Sequence, residues 1–373
     1  MNFDFDETEK VLVEGINALF DDKTDAEPRT LESGDLQTVR HTLLAYLRGL
    51  GHIGYLGPGP DDHPPAKAQE ALAARCPSLF LSVEMSARLF GGLVALHGSD
   101  AQKARILPAL RQGTRLGALA LAETNTSVEH NPIRTKAEKS GGRYVLSGAK
   151  GPVINAPVAD WIAVAGRLDG RLAFFLPDLE TKGLAIGPRS ATLGFQGVCS
   201  APVTLEGCPV PEANVIGPLK ETAVLGVLRT REDRMLASAA LGIMERCFET
   251  AASHAKAHTS GGKPIIAFQE VSFMLAEMLT LLQTSRLLAY RAAWAADTTD
   301  PEKGALARCA KVFCAESAET VASKALQILG SRGYLRGNPV EEGYRDAKYL
   351  QIAGTSSERS RMKIADALLD LFS

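Results

Sequence analysis

The sequence of 373 residues is 45% hydrophobic and 23% charged, as is typical of a globular protein, and its length predicts two or three structural units. The formal net charge of -2 excludes a global basic field that would recruit nucleic acid or an anionic membrane. The six cysteines lack CxxC spacing, which predicts reduced thiols in a cytoplasmic protein and no metal site. We see no signal peptide, and no apolar run that reaches the roughly 18 residues of a membrane span.

Three regions follow one another along the chain and predict an α+β fold. Residues 1–118 alternate helical patterns with Gly/Pro breaks, which indicates an N-terminal helical domain. Residues 119–221 change to short runs with a period of two, separated by Gly, Asp or Pro, as in an antiparallel β domain. Residues 222–373 return to long amphipathic patterns and predict a four-helix bundle. Within the bundle, residues 344–358 look like the end of one helix, a Gly-Thr-Ser turn and the start of another.

Several strings resemble the acyl-CoA dehydrogenase family, in the family's order: KARILPALRQGTRLGALALAE, GGRYVLSGAKGPVINAPVADWIAVAGR, GCPVPEANVIG, FQEVSFMLAEM, ALQILGSRGY and PVEEGYRDAKYLQIAGTS. The resemblance is good over roughly 120–373 and weak over 1–118. It implies a helical domain, a β domain and a four-helix bundle. It also implies FAD bound between the sheet and the bundle, and a homodimer or homotetramer in which a second subunit's bundle reaches the flavin. In the implied reaction, a glutamate removes the α-proton of an acyl thioester and the β-hydride passes to the flavin.

The resemblance places the catalytic base at one of two positions. In many members the glutamate directly precedes the Gly-Thr-Ser turn, where this sequence has Ala353. Other members carry the base on the first helix of the bundle. Counting back from Leu241 and Gly242 places Glu232 at that position, and a slip of one residue selects Asp233. The alternative is that this acidic stretch is a solvated helix start, favoured there by the helix dipole.

The loop that contacts the flavin ring in the family, T-E-P-x-x-G-S-D, reads AETNTSVEH here. Ala122 replaces the threonine that binds the ring, and Glu123 is retained. Polar Asn125 and Ser127 replace part of the flexible Gly/Ser run and are candidate cofactor contacts.

The next two family contacts are also altered. In GAKGPVINA, Pro152 and Ile154 stand where the family has an aromatic residue and a Ser or Thr that bonds the flavin, while Lys150 and Asn155 persist. In HTSGGK, His258 replaces the arginine that meets the partner's pyrophosphate, and Lys263 is retained. Further retained candidates for cofactor binding are Gln327, Gly330, Gly333 and Thr355.

Three functions remain open at this point. The first is an FAD-dependent dehydrogenase that acts on acyl-CoA or on an acyl-carrier-protein thioester, with Glu232 as base. The second is a flavin-free enzyme for elimination or cyclisation of acyl thioesters, with Glu123, Glu232, Asp233 and His130 as candidates. The third is a non-catalytic subunit that pairs with an active homologue in a heteromeric dehydrogenase. None of the three predicts a nucleic-acid or membrane partner.

Overall fold

The computed structural model describes residues 7–21, 28–57, 65–123, 133–296 and 303–372, with side chains described as far as residue 367. The N-terminal part consists of seven helices within these residues. They are α1 (Glu7–Asp21), α2 (Thr30–Ser33), α3 (Leu36–His52), α4 (Ala66–Arg75), α5 (Pro77–Glu84), α6 (Gly91–His97) and α7 (Asp100–Arg111). Helix α3 begins after Asp35, whose side chain accepts a hydrogen bond from the Thr38 amide at 2.7 Å.

A π-helical segment, Met85–Phe90, joins α5 to α6. The resulting helix, Pro77–His97, is long and apolar enough by composition to cross a membrane, so the expectation that no run reaches that length was wrong. In the folded chain, however, 83% of its most apolar window is buried inside the protein. The segment therefore serves here as a core helix, and its π-helical part contacts the first strand of the sheet.

The central part is a sheet of eight strands. They are β1 (Gly117–Ala120), β2 (Lys136–Ser140), β3 (Arg143–Ile154), β4 (Trp161–Leu168), β5 (Arg171–Phe175), β6 (Leu184–Ile186), β7 (Ser200–Pro211) and β8 (Val215–Leu219). The strand order is β6-β7-β3-β2-β4-β5-β8, with β1 also paired to β4. Both faces of the sheet are covered: Phe174 belongs to the main core, and its neighbour Phe175 belongs to a second cluster on the opposite face.

The sheet is mixed, and the prediction of an antiparallel sheet was incomplete. Strands β1 and β2 both pair with β4 in parallel. The other pairings, such as β3 with β7, are antiparallel. A period of two identifies a strand but carries no information about the direction of its neighbour, so the sequence pattern did not reveal the parallel pairs.

The C-terminal part is a helical bundle. Its helices are α8 (Glu221–Ala257), α9 (Gln269–Ala296), α10 (Lys303–Leu329), α11 (Pro339–Ile352) and α12 (Ser357–Phe372). A small hairpin of β9 (Thr259–Ser260) and β10 (Lys263–Pro264) connects α8 to α9. Helix α11 packs against both α8 and α10, so the turn at its end lies against the middle of the bundle.

Candidate active site

A cavity of about 180 Å³ lies where the N-terminal helices, the sheet and the bundle meet. Its lining residues among those described are Met85, Leu89, Leu119, Leu121, Ala122, Pro152, Val153, Ile154, Leu228, Arg229, Glu232, Tyr349 and Gly354. The cavity thus brings together the positions that the resemblance assigned to the flavin ring and to the base. Nine of these thirteen residues have apolar side chains.

Glu232 reaches this cavity from helix α8. A β-carbon placed on Gly354 would lie 2.8 Å from Glu232 Oε2, so the carboxylate rests directly on the turn that follows α11. Gly354 has a φ of +62°, and Ala353 before it is buried and contributes only a methyl group. The carboxylate of Glu232 therefore occupies the space over a turn that presents no acidic side chain of its own. Its Oε2 accepts a hydrogen bond from the Arg229 guanidinium.

Replacement of Gly354 by alanine is expected to disturb this arrangement. The left-handed φ of +62° strains any residue with a β-carbon, and the added methyl group would collide with the Glu232 carboxylate. We expect Gly354→Ala to destabilise the fold by about 1–3 kcal/mol and to displace Glu232. Urea unfolding measures the first effect, and a crystal structure of the variant measures the second. An unmoved carboxylate in a variant of normal stability would contradict this description of the turn.

Asp233, the alternative base, does not line the cavity. Its side chain is buried, and its Oδ1 has no hydrogen-bond partner within the described residues. Burial is the main cause that raises the pKa of Asp233 to about 7, and the neighbouring Glu232 raises it further. The charges of Lys311 and Arg308 act in the opposite direction. Of the two candidate bases, only Glu232 faces the cavity.

Lys311 is a site residue that the sequence analysis did not identify. Its buried ammonium group donates hydrogen bonds to the carbonyl of Thr355 at 2.8 Å and to that of Gln351 at 3.3 Å. These bonds hold the turn after α11 against α10. Thr355 is buried, and its carbonyl group has a structural role in this link. The one available signal was a lysine within the otherwise apolar stretch 309–315.

Glu123 is held in a buried network at the start of the sheet rather than in the cavity. Its carboxylate accepts hydrogen bonds from the amides of Arg134 and Thr135 at 2.8 Å each, and from the Thr135 hydroxyl at 2.6 Å. The Lys150 ammonium adds a fourth at 2.9 Å. Burial alone would raise the pKa of Glu123, but these hydrogen bonds outweigh it and lower the pKa to about 2.

The low pKa of Glu123 predicts a contribution to stability that disappears in acid. Because the pKa falls from 4.5 to about 2 on folding, the ionised group stabilises the fold above pH 4.5 and loses this effect as the pH approaches 2. The difference in unfolding free energy between the wild type and Glu123→Gln is therefore expected to shrink between pH 6 and pH 3. Chemical denaturation at several pH values measures it, and a constant difference would argue against this network.

Asn155 does not line the cavity. Asn155 has a φ of +68° and donates from its side-chain amide to the Ser82 carbonyl at 2.8 Å, which ties the end of β3 to α5. Its side-chain oxygen is buried without a hydrogen-bond partner in the described part of the chain. Asn125, Ser127 and His130 fall outside the described residues.

Three of the four candidates for contact with a second subunit lie on the surface of the bundle. Lys263 is exposed in the β9–β10 hairpin, and its ammonium group lies 4.3 Å from the centre of the Phe268 ring. Gln327 and Gly330 are exposed, and a β-carbon on Gly330 would meet nothing within 4 Å. Gly333 is buried at the end of the same turn. No three His, Cys, Asp or Glu side chains of the described segments are grouped to hold a metal ion.

The sheet side of the cavity offers few contacts to the flavin ring that the resemblance implies. Pro152 has no amide hydrogen, and Ile154 has no hydroxyl group. The carbonyl of Ala122 already accepts a hydrogen bond from the Gly151 amide at 3.0 Å. The donors that the family supplies from this wall are therefore missing in the part of the wall that is described.

The bundle side contributes three polar side chains to the described lining. The polar side chains of the described lining residues are those of Arg229, Glu232 and Tyr349, and the first two bind each other. The volume of about 180 Å³ is also smaller than the roughly 300–1,000 Å³ of typical ligand and cofactor pockets. By its volume, the cavity as described does not fit a flavin ring.

Comparisons with known proteins agree with the resemblance. A family model for the acyl-CoA dehydrogenase C-terminal domain matches residues 230–369. An acyl-CoA dehydrogenase of Bacillus subtilis (strain 168) is 34% identical over 278 residues, 73% of this chain and 73% of that protein. The mitochondrial short-chain specific acyl-CoA dehydrogenase of Homo sapiens is 30% identical over 342 residues, 87% of this chain and 82% of that protein.

Solved structures show the same architecture over almost the whole chain. Butyryl-CoA dehydrogenase from Megasphaera elsdenii superposes with a TM-score of 0.88 at 26% identity, covering 99% of this chain and 100% of that one. A prolyl acyl carrier protein oxidase superposes with a TM-score of 0.86 at 23% identity, covering 98% and 100%, which is a likeness of fold alone. On the identity to curated relatives over most of its length, the chain belongs to the acyl-CoA dehydrogenase family of flavoprotein oxidoreductases.

Proposed function

We propose that the chain acts on an acyl thioester and that Glu232 removes the α-proton. The observation that supports this is the position of the Glu232 carboxylate, which lines the cavity and rests on Gly354 beside the residue that carries the base in many relatives. In the proposed step, the carboxylate takes the proton and the electron pair of the broken C–H bond moves into the thioester as an enolate. No other group is gained or lost in this step.

Transfer of the β-hydride to FAD stays a prediction for this chain. Members of the family generally use FAD. Because the described lining residues do not fit the flavin ring, we derive no hydride step from them. The small volume of the cavity and its missing donors favour a second candidate, in which Glu232 performs proton transfer for an elimination or cyclisation without flavin. Both candidates share the same base and the same class of substrate, as a CoA or a carrier-protein thioester.

Exchange of α-protons tests the shared step without requiring a redox reaction. The protein is incubated in D2O with CoA thioesters of short mono- and dicarboxylic acids, with and without FAD, and α-deuterium is measured by mass spectrometry. We expect enzyme-dependent deuterium at the α-carbon in the absence of FAD. Absence of exchange with every thioester would refute the role of Glu232. If the protein retained flavin after desalting and formed an α,β-unsaturated product, the function would be dehydrogenation, and the flavin-free candidate would be refuted.

We also propose that the chain is a homodimer or homotetramer in the cytoplasm. Family members form oligomers. Phe273, Leu287 and Trp294 are 57%, 53% and 59% exposed and recur at heptad spacing along α9, which suits packing against another bundle. The six cysteines are free thiols, as expected in a reducing compartment. Light scattering of the purified protein measures its mass, and co-purification with a second family member would indicate the heteromeric alternative instead.

A further inference from the structure

Tyr349 is the third polar side chain in the described lining of the cavity, beside Arg229 and Glu232. It lies in the last turn of α11, where its carbonyl accepts a hydrogen bond from the Ala353 amide at 2.8 Å. Its hydroxyl group makes no hydrogen bond to any of the described residues. Because a tyrosine hydroxyl in a largely buried position usually finds a partner, this donor is available to a molecule that enters the cavity.

The ring of Tyr349 is held in place from the β domain. It packs edge to face against Phe195, with the ring centroids 5.2 Å apart and the ring planes at 61°. Phe195 is buried, and its amide donates a hydrogen bond to the carboxylate of Asp346, one helical turn before Tyr349 on α11. The segment between β6 and β7 and helix α11 therefore fix the ring together, and a donor carried by a fixed ring is preorganised.

The hydroxyl group of Tyr349 lies close enough to the proposed base for their charges to interact. Burial is the main cause that raises the pKa of Tyr349, and the charge of Glu232 raises it further. The phenol therefore stays protonated while Glu232 is ionised, and its hydrogen remains available for donation. When Glu232 takes the α-proton, the negative charge leaves its carboxylate and appears on the thioester oxygen. A neutral donor near this site is favoured most at that moment, when the charge moves to the substrate.

We propose that the Tyr349 hydroxyl is a further catalytic group, which donates a hydrogen bond to the thioester carbonyl and stabilises the enolate oxygen; this rests on the function proposed above for Glu232. In the step, the α-C–H bond breaks, its proton goes to the Glu232 carboxylate and its electron pair moves towards the carbonyl oxygen. The phenol keeps its own proton throughout. Arg229 donates to Glu232 Oε2 and so acts on the base, whereas Tyr349 acts on the substrate.

Tyr349→Phe is expected to lower the rate of α-proton exchange in D2O by about 10²–10³-fold, the usual effect of removing one such donor. The variant keeps the ring that packs on Phe195 and loses no hydrogen bond to the described residues, so its unfolding free energy is expected to equal that of the wild type. Tyr344→Phe is the matched control, because Tyr344 lies on the same helix but is 42% exposed and does not line the cavity. An unchanged rate in Tyr349→Phe, or an equal loss in Tyr344→Phe, would overturn the proposal.

Infrared spectroscopy tests the hydrogen bond without requiring the reaction. The probe is the saturated monocarboxylic CoA thioester that binds most tightly, labelled with a heavy isotope at its carbonyl carbon. Its carbonyl stretching frequency is compared between Glu232→Gln and the double variant Glu232→Gln/Tyr349→Phe. We expect a lower frequency where the hydroxyl group is present, because a hydrogen bond weakens the C=O bond.

Equal frequencies in the two proteins would overturn the proposal, as would the absence of binding by every thioester. A lower frequency with Tyr349 present, but no α-proton exchange in the wild type, would refute the role of Glu232 and support the hydrogen bond from Tyr349. Exchange that depends on Glu232 but not on Tyr349 would refute this proposal alone. Tyr349→Met also lacks the hydroxyl group, and it replaces Tyr349→Phe in both measurements if that variant does not fold.

Discussion

Glu232→Gln is expected to lower the rate of α-proton exchange by about 10²–10⁴-fold, the range that a positioned general base contributes. The amide keeps the size of the side chain and still reaches the turn at Gly354, but it has no basic oxygen with which to take the proton. The measurement is deuterium uptake at the α-carbon of the best thioester in D2O. Binding of the same thioester is measured in parallel, so that loss of chemistry is separated from loss of affinity.

Asp233→Asn is the matched control, because it removes the adjacent carboxylate on the same helix. Asp233 is buried and does not line the cavity, so exchange is expected to persist in this variant. Thermal unfolding of both variants shows whether either substitution damages the fold. If Asp233→Asn abolished exchange while Glu232→Gln retained it, the assignment of the two carboxylates would have to be reversed.

Lys150→Met is expected to destabilise the protein by about 3–5 kcal/mol, the usual cost of removing one partner of a buried ion pair. Lys150 is fully buried, and its ammonium group lies 2.9 Å from the Glu123 carboxylate and 3.3 Å from the Leu121 carbonyl. Burial outweighs the bond to Glu123 and lowers the pKa of Lys150 to about 8. Without this cation, the Glu123 carboxylate stays buried among neutral donors. The free energy of unfolding in urea at pH 7 measures the loss.

Lys139→Met supplies the comparison for this substitution. Lys139, on strand β2, pairs with Glu212, directly after strand β7, at 2.7 Å, but the two side chains are 63% and 46% exposed. Exposed pairs contribute about 0–1 kcal/mol, so this variant is expected to unfold almost as the wild type does. If the two lysine variants were equally stable, the pair of Lys150 and Glu123 would not be the structural link described above.

Much of the fold followed from patterns that are local in the chain. Helical spacing identified helices, and a change of period at about residue 119 marked the sheet. The family strings ordered these parts and directed attention to Glu232. The direction of the pairing between β1 and β4 was not predictable in this way, because alternation along a strand is the same whichever way its neighbour runs.

By itself, the sequence determined the family, the order of helical and β parts, the missing acid at Ala353 and two neighbouring carboxylates as substitutes. Only the tertiary structure showed which of these carboxylates faces the cavity, because their side chains point about 100° apart around the helix axis and the packing of α8 sets which one meets the cavity. It also paired Glu123 with Lys150 and anchored the turn at Thr355 through Lys311. Such contacts join residues far apart in the chain, and hydrogen bonding between them depends on how whole elements pack.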